Sequence, residues 1–428
     1  MKSSEVKLDA EESKRDGAVS LRDSPQRWLL AFLLVVGMIF LYAQRGALSV
    51  AAPFMIRDLK LSPTVMGILL SAFFWSYSLM QIPAGWLVDR FGVKRTYAFG
   101  FAFWSFITAL TGIARGLTAL IFVRVLLGVG QSVAFPASAR AVANWFPDRE
   151  RGSVTATYLA GVRVGQALVS AVAAFLLKSY GWKFFFVSIG VVPLVWLLPW
   201  YLFLNRWVNT TASTPMTPRP KASLLKSLSL LKNRSVLGIF LGFFAYDYAW
   251  FVYVSWLPSY LIMERKFSAR EMGIYSSIPY LAMSAIILLS GFASDGLIRH
   301  GYSEPRVRKT FIITGMSIGC LIVPAGWVSD PMTSVWFLSI SLCGLGLCSP
   351  NTWTLTQAVC SKNVVGTVSG IQNFGGNIGG ILAPVLTGYI AQVSRSFALA
   401  LSITGCILVS GILSYCFLVS RKVKLEGV

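Results

Sequence analysis

The sequence predicts an all-α integral membrane protein, with twelve transmembrane helices arranged as two pseudo-symmetric six-helix bundles. Three observations carry that prediction: an apolar composition, the spacing of the apolar runs, and an internal repeat. The 428 residues are 55% hydrophobic and 13% charged, and the mean hydropathy is +0.65. A water-facing globule does not tolerate that balance, so the chain needs a second, apolar solvent. About 20 residues of helix cross the ~30 Å of hydrocarbon in a bilayer. Apolar stretches of that length fall near 28–55, 63–88, 96–114, 117–146, 152–178, 183–205, 236–262, 271–296, 309–328, 333–357, 364–392 and 397–419.

The repeat divides these spans into two sets of six. At an offset of 206 residues, Ser62, Met66, Gly67, Gly85 and Asp89 meet Ser268, Met272, Gly273, Gly291 and Asp295. At an offset of 214, Gly130, Pro136, Gly152 and Gly165 meet Gly344, Pro350, Gly366 and Gly379, which places an insertion between His300 and Lys309. Repeats of this kind are the mark of transporters that hold a solute near mid-depth between their halves. The expected units are a cytoplasmic N-terminal tail (1–27), a first bundle (28–205), a cytoplasmic linker (206–235), a second bundle (236–419) and a cytoplasmic C-terminal tail (420–428).

The formal charge of +21 raises the possibility of a nucleic-acid partner, but the position of the basic residues argues otherwise. With the N-terminus in the cytoplasm, 25 of the 38 Lys and Arg fall in cytoplasmic segments, 9 in outer loops and 4 within spans. This is the positive-inside bias of a multi-pass plasma (inner) membrane protein with both termini cytoplasmic. The linker carries Arg206, Arg219, Lys221, Lys226, Lys232 and Arg234 without an acid, which suits anionic lipid. The first 27 residues have no apolar core with a cleavage site, so no removable signal peptide is expected. The six cysteines, Cys320, Cys343, Cys348, Cys360, Cys406 and Cys416, lie in or beside spans and read as small packing residues. His300, the only histidine, falls in a loop. No metal site, cofactor, nucleotide-binding loop or nucleophile and base pair is expected, so the chain does not read as an enzyme or a pump.

Ionisable groups at membrane depth are costly, and each is a candidate functional group. These are Arg45, Arg124, Arg140, Arg163 and Asp247. The basic excess favours an organic anion as the solute. Arg45 offers a planar fork for a carboxylate. The 214-residue offset sets Arg163 against Asn377, and Asn373 lies one turn before Asn377 on the same helix face. Arg163 could bind solute or brace helices; Arg124, nearer the outer end of its span, reads as structural; Arg140 can reach the cytoplasmic surface. In the seventh span Tyr246, Trp250 and Tyr253 share a face that could cradle a sugar-like chain. The Gly375-Gly376-Asn377-Ile378-Gly379-Gly380 run permits close helix approach.

The loop after the second span, Gly85-Trp-Leu-Val-Asp89-Arg90-Phe-Gly92-Val-Lys94-Arg95, is similar to the G-x-x-x-D-R-x-G-R-[RK] signature of the major facilitator superfamily. Asp89, Arg90 and Arg95 are therefore gating candidates, unless they serve only to orient the chain. Within that superfamily the chain resembles the anion:cation symporter family, which includes bacterial carriers for galactonate, hexuronates and glucarate. Tyr42-Ala-Gln44-Arg45, Arg124 through Gly128-Val-Gly130-Gln131 to Phe135-Pro136, Trp145 through Gly152, and Trp256-Leu-Pro258 carry this likeness over nearly all of 28–420.

The resemblance implies a twelve-helix fold, a monomer embedded in lipid, and alternating-access transport of a sugar acid or other carboxylate. It also implies that Arg45, Tyr42 and Tyr77 bind the anion; Gln131 beside the fourth-span motif, Arg163, Asn373 and Asn377 from the repeat, and Tyr246 from the seventh-span face complete the candidate site. Proton-coupled members carry acids where this chain has Gln44 and Gln131, and an amide cannot titrate. Asp247, where Asn is more usual, could take over proton coupling. It could instead form a fixed ion pair with an intramembrane arginine, leaving a uniporter or an anion exchanger. A non-transporting membrane receptor is a more distant reading.

Overall fold

The computed structural model describes residues 24–208, 230–360 and 365–419. The N-terminal tail before Ser24, the linker cations Arg219, Lys221 and Lys226, and the C-terminal tail lie outside the described residues. So do the side chains of Asp148, Arg149 and Arg206 and the surroundings of Gly152 and Gly366.

The first span is the single helix Arg27–Asp58. The second and third form the unbroken run Pro63–Thr111, which turns at Gly92, where φ is 79°. Its 49 residues would measure roughly 74 Å if straight, more than twice the hydrocarbon thickness, so this run crosses twice. The fourth span is Leu117–Gln131 continued by Ala134–Trp145. The fifth and sixth share Asp148–Val191, which turns at Gly181 with φ 75°, and end through a short 3-10 segment and Leu197–Val208. The last six are Arg234–Met263, Ala269–Arg299, Glu304–Gly319 with Ile322–Trp327, Pro331–Val359, Val365–Ser394, and Ala398–Leu413 with its π-helical extension. The ninth span thus begins about one turn before its expected start at 309, which brings Arg308 into a helix.

The repeat is visible in the caps. Ser62 and Ser268 are the N-caps of the second and eighth spans, and Ser268 forms a reciprocal capping box with Glu271. Asp330 caps the tenth span in the same way, and its bonds from the Thr333 hydroxyl and amide hold its carboxyl below the usual range. Large apolar side chains such as Phe99, Phe175 and Phe292 are exposed on the outside of the bundle, where lipid is their solvent.

Three helix pairs hold the first six spans against the last six: first to seventh, second to eleventh, and fifth to eighth. Their close contacts gather at the end of the molecule that bears Asp58. Ser49 donates to the carbonyl of Ser255 at 2.9 Å, Phe74 meets Phe251 edge to face at 4.6 Å, and Ser277 donates to the carbonyl of Ala167 at 2.9 Å. Glycines allow this approach. A Cβ on Gly67 would strike the carbonyl of Pro384, one on Gly388 that of Pro63, and one on Gly273 the side chain of Ala174.

Eighteen residues are five full helical turns, so positions that far apart share a face, about 27 Å along the axis. From those packed glycines the same step reaches Gly85, Gly370 and Gly291, and a Cβ on any of them would meet nothing within 4 Å. On three helices, then, the packed face loses its partner toward the other end, which bears Asp89. The two sets of spans are sealed at the Asp58 end and part toward the Asp89 end.

Candidate functional site

The intramembrane charges lie just beneath that seal. Arg45 is one turn from Ser49 on its helix, so it faces the last six spans. Its guanidinium carbon stands 4.5 Å from the ring centres of Tyr42 and Phe73 and 4.7 Å from that of Tyr77. The three rings take up the faces of the fork and leave its edges for hydrogen bonding. Nε donates to Oε1 of Gln131 at 3.0 Å, and one terminal nitrogen donates to the Tyr42 hydroxyl at 3.2 Å. The other, Nη2, is buried without a hydrogen-bond partner. Among the described residues no acid lies within ion-pair distance of Arg45.

Gln131 is committed at both ends, because its Nε2 donates to the Leu41 carbonyl at 3.2 Å. Gln44 points elsewhere: its amide donates to Ser105 at 3.0 Å and to the Ile189 carbonyl at 2.9 Å, bracing the first span to the third and sixth. Arg124 is 3% exposed and its guanidinium lies 5.5 Å from the centre of the same Phe73 ring. Its Nε has no partner and it makes no hydrogen bond or ion pair among the described residues. This buried, unsatisfied cation is not what a purely structural reading of Arg124 anticipates.

On the opposite wall, Asp247 stands one turn from Phe251 and two turns from Ser255, both of which touch the first six spans. It is half-buried and carries no ion pair or hydrogen bond among the described residues. Gly376 presses against it so closely that a Cβ there would strike the carboxylate. Arg163 lies within electrostatic reach of Asp247 and Tyr246, and its guanidinium sits 3.6 Å from the centre of the Trp250 ring, across the interface. The Tyr246 hydroxyl is buried and unpaired. Tyr253 turns away, donating to the Leu338 carbonyl within its own set of helices. Asn377 is half-buried and Asn373 exposed. Both lie on the face that continues through Ile381 and Pro384, which pack on the first six spans, so they line the parted region.

Four participants were not anticipated from sequence. Gln166, three residues after Arg163 and hence on its face, is fully buried against Gly46 with both amide atoms unpaired. Phe73 is the ring shared by Arg45 and Arg124. Gln372 accepts from Thr356 at 2.6 Å, and its Nε2 is buried without a partner. Arg308, buried at the Asp89 end, holds Asp295 at 2.6 Å and also donates to Ser294 and Asn351. The repeat held a signal that could have found it, since the 206-residue offset matches Asp89 to Asp295 and the 214-residue offset matches Lys94 to Arg308. In the first half, Asp89 pairs with Arg140 at 3.4 Å, Arg90 lies over Trp86 and Phe91, and Lys94 donates to Asn205. Arg95 is exposed and makes no ion pair among the described residues.

Charged and amide groups from both sets of spans thus lie at the seam, closed off toward the Asp58 end and open toward the Asp89 end, an arrangement that suits a solute held between two halves. Residues 34–384 match the Major Facilitator Superfamily. The chain belongs to that superfamily. It is 31% identical over 413 residues to the D-galactonate transporter of Escherichia coli O6:H1, covering 92% of this chain and 96% of that one. It is also 31% identical over 454 residues to the probable galactarate/D-glucarate transporter of Escherichia coli K12, covering 98% and 99%. Among solved structures, a bacterial homologue of the human lysosomal transporter Spinster, inward-facing and occupied, superposes with a TM-score of 0.77 at 18% identity, covering 94% and 98%. The all-α membrane architecture read from the apolar runs and the repeat, and the major facilitator fold that the resemblance implies, are the fold of the molecule. This member is a multi-pass membrane transporter and not an enzyme, and its curated relatives carry sugar acids.

Proposed function

We propose that this transporter carries a small organic anion, a sugar acid or a related carboxylate, in symport with protons and as a monomer. The observation that carries the reading is Arg45, a caged guanidinium with a buried, unpaired Nη2 and no acid beside it. Burying such a charge is costly unless something supplies the missing acceptor. A substrate carboxylate would accept from Nη1 and Nη2, while Gln131, Tyr42, Phe73 and Tyr77 hold the fork in place. Tyr246, Asn373, Asn377 and Gln166 would take hydroxyl groups, and Asp247 would take the proton. With both termini cytoplasmic, as the charge bias favours in a plasma (inner) membrane, the parted end faces the cytoplasm. Closure there would bring together the faces of Gly85, Gly291 and Gly370, with Asp89, Arg90, Arg95, Arg140 and the Asp295 to Arg308 pair at the rim. Uniport or exchange is the second reading, favoured by the amides at positions 44 and 131.

Uptake by the purified protein in liposomes tests this. With acid outside, a labelled sugar acid is expected to accumulate above its external concentration; exchange of label without accumulation would favour the second reading. If no organic acid is either taken up or exchanged, the anion reading falls. The position of Gln131 adds a sharper expectation. Gln131→Glu would set a carboxylate about 3 Å from Nε of Arg45 and compete with the substrate for it. Apparent affinity is expected to fall about tenfold at pH 8, the worth of ~1.4 kcal/mol, and to recover toward pH 5 as the new acid is neutralised. The wild type should keep only the pH dependence that Asp247 brings, so the test reads the extra loss at pH 8 in Gln131→Glu.

A further inference from the structure

Resting on the anion reading above, we infer that the site selects a dianion, a dicarboxylate, with Arg45 and Arg163 holding its two carboxylates. The charge at membrane depth points there first. Asp89 and Asp295 neutralise Arg140 and Arg308 at the rim. Beneath the seal, among the described residues, Arg45, Arg124 and Arg163 outnumber the acid Asp247 by two while Asp247 is ionised and by three once it takes a proton. A monocarboxylate would neutralise one of these charges; a dicarboxylate neutralises two.

The two arginines are also presented alike. Arg45 has its faces occupied by Tyr42, Phe73 and Tyr77 and an edge nitrogen without a partner. Arg163 has one face on Trp250 at 3.6 Å and makes no hydrogen bond or ion pair among the described residues. Stacking immobilises each fork while sparing its N–H edge, the edge that receives a carboxylate in bidentate fashion. They stand on different helices of the first half, Arg45 on Arg27–Asp58 and Arg163 on Asp148–Val191, and Tyr42 lies within electrostatic reach of both. The unpaired amides of Gln166 and the hydroxyl of Tyr246 fall near the second fork, where they can meet the hydroxyls of an intervening polyol chain. Arg163 is thus a specificity residue: it reads the far end of the substrate and not the carboxylate common to all sugar acids.

Glucarate and gluconate isolate that far end, since they differ by a carboxylate in place of a terminal hydroxymethyl group. In proteoliposome counterflow, glucarate is expected to half-saturate the wild type at a concentration at least tenfold below that for gluconate. In Arg163→Gln, glucarate should weaken at least tenfold and gluconate less than threefold, so that the two converge. Equal or better use of gluconate by the wild type overturns the dianion and leaves the anion reading standing; so does an Arg163→Gln variant that weakens both acids alike. Thermal stabilisation of the detergent-purified wild type by the two acids repeats the comparison without any variant, and there too glucarate must act at the lower concentration. Failure of both acids to bind or exchange overturns the proposal together with the reading beneath it.

Discussion

Replacing Arg45 by Gln is expected to cost about a hundredfold or more in the concentration of organic anion needed for half-saturation. The estimate counts two charge-assisted hydrogen bonds from one fork, each worth roughly 1.5–3 kcal/mol once water is excluded. Arg45→Lys should recover only part of the loss, because an ammonium keeps the charge but cannot replace the planar edge or fill the cage of Tyr42, Phe73 and Tyr77. The control lies in stability. Arg45 has no acid partner among the described residues, so Arg45→Gln removes an uncompensated buried charge and should leave the melting temperature of the ligand-free protein equal or higher. The pattern sought is an unaltered or raised melting temperature, no further rise on adding sugar acid, and no counterflow. A variant that saturates like the wild type would show that the guanidinium does not meet the substrate.

Much of this arrangement was legible in the sequence because the bilayer leaves few alternatives. Apolar length fixed the spans, and the Ser62 and Ser268 pair marked equivalent helix starts that the structure caps in the same way. Depth was legible too: Arg45, Arg163 and Asp247 stood out because charge in a span is costly wherever the helix turns. What depth does not give is rotation. Gln44 and Arg45 are neighbours in sequence, yet one braces the third and sixth spans and the other faces the seam. Lys94 and Arg95 part in the same way, with Lys94 reaching Asn205 and Arg95 left exposed. Gln166 and Gln372 carry no charge to betray them, and their importance rests on amide atoms left unpaired by packing that only the assembled helices define. Which end of the seam is closed was also beyond the sequence, since Gly67 and Gly85 look equivalent until one meets Pro384 and the other meets nothing.

Asp247→Asn is expected to separate exchange from accumulation. Asn keeps the shape of the side chain in a place where Gly376 allows no added bulk, so the substrate site should survive and counterflow of labelled sugar acid should stay within about threefold of the wild type. What the amide removes is the ability to take and release a proton. In the wild type, a pH lower by one unit outside is worth ~1.4 kcal/mol per proton carried inward, enough for about tenfold accumulation of substrate. Asp247→Asn should hold the internal to external ratio near one, whatever the gradient, because its site behaves as permanently neutral. The direction matters: acid outside should drive the wild type to accumulate, and acid inside should drive efflux, with neither effect in the variant. Accumulation by Asp247→Asn at the wild-type ratio would move coupling to another group. The same test gives the two amides at positions 44 and 131 their meaning: with Gln44 tied to Ser105 and Ile189, and Gln131 tied to Arg45 and Leu41, neither can titrate, and among the described residues Asp247 is the carboxylate left facing the seam beneath the seal.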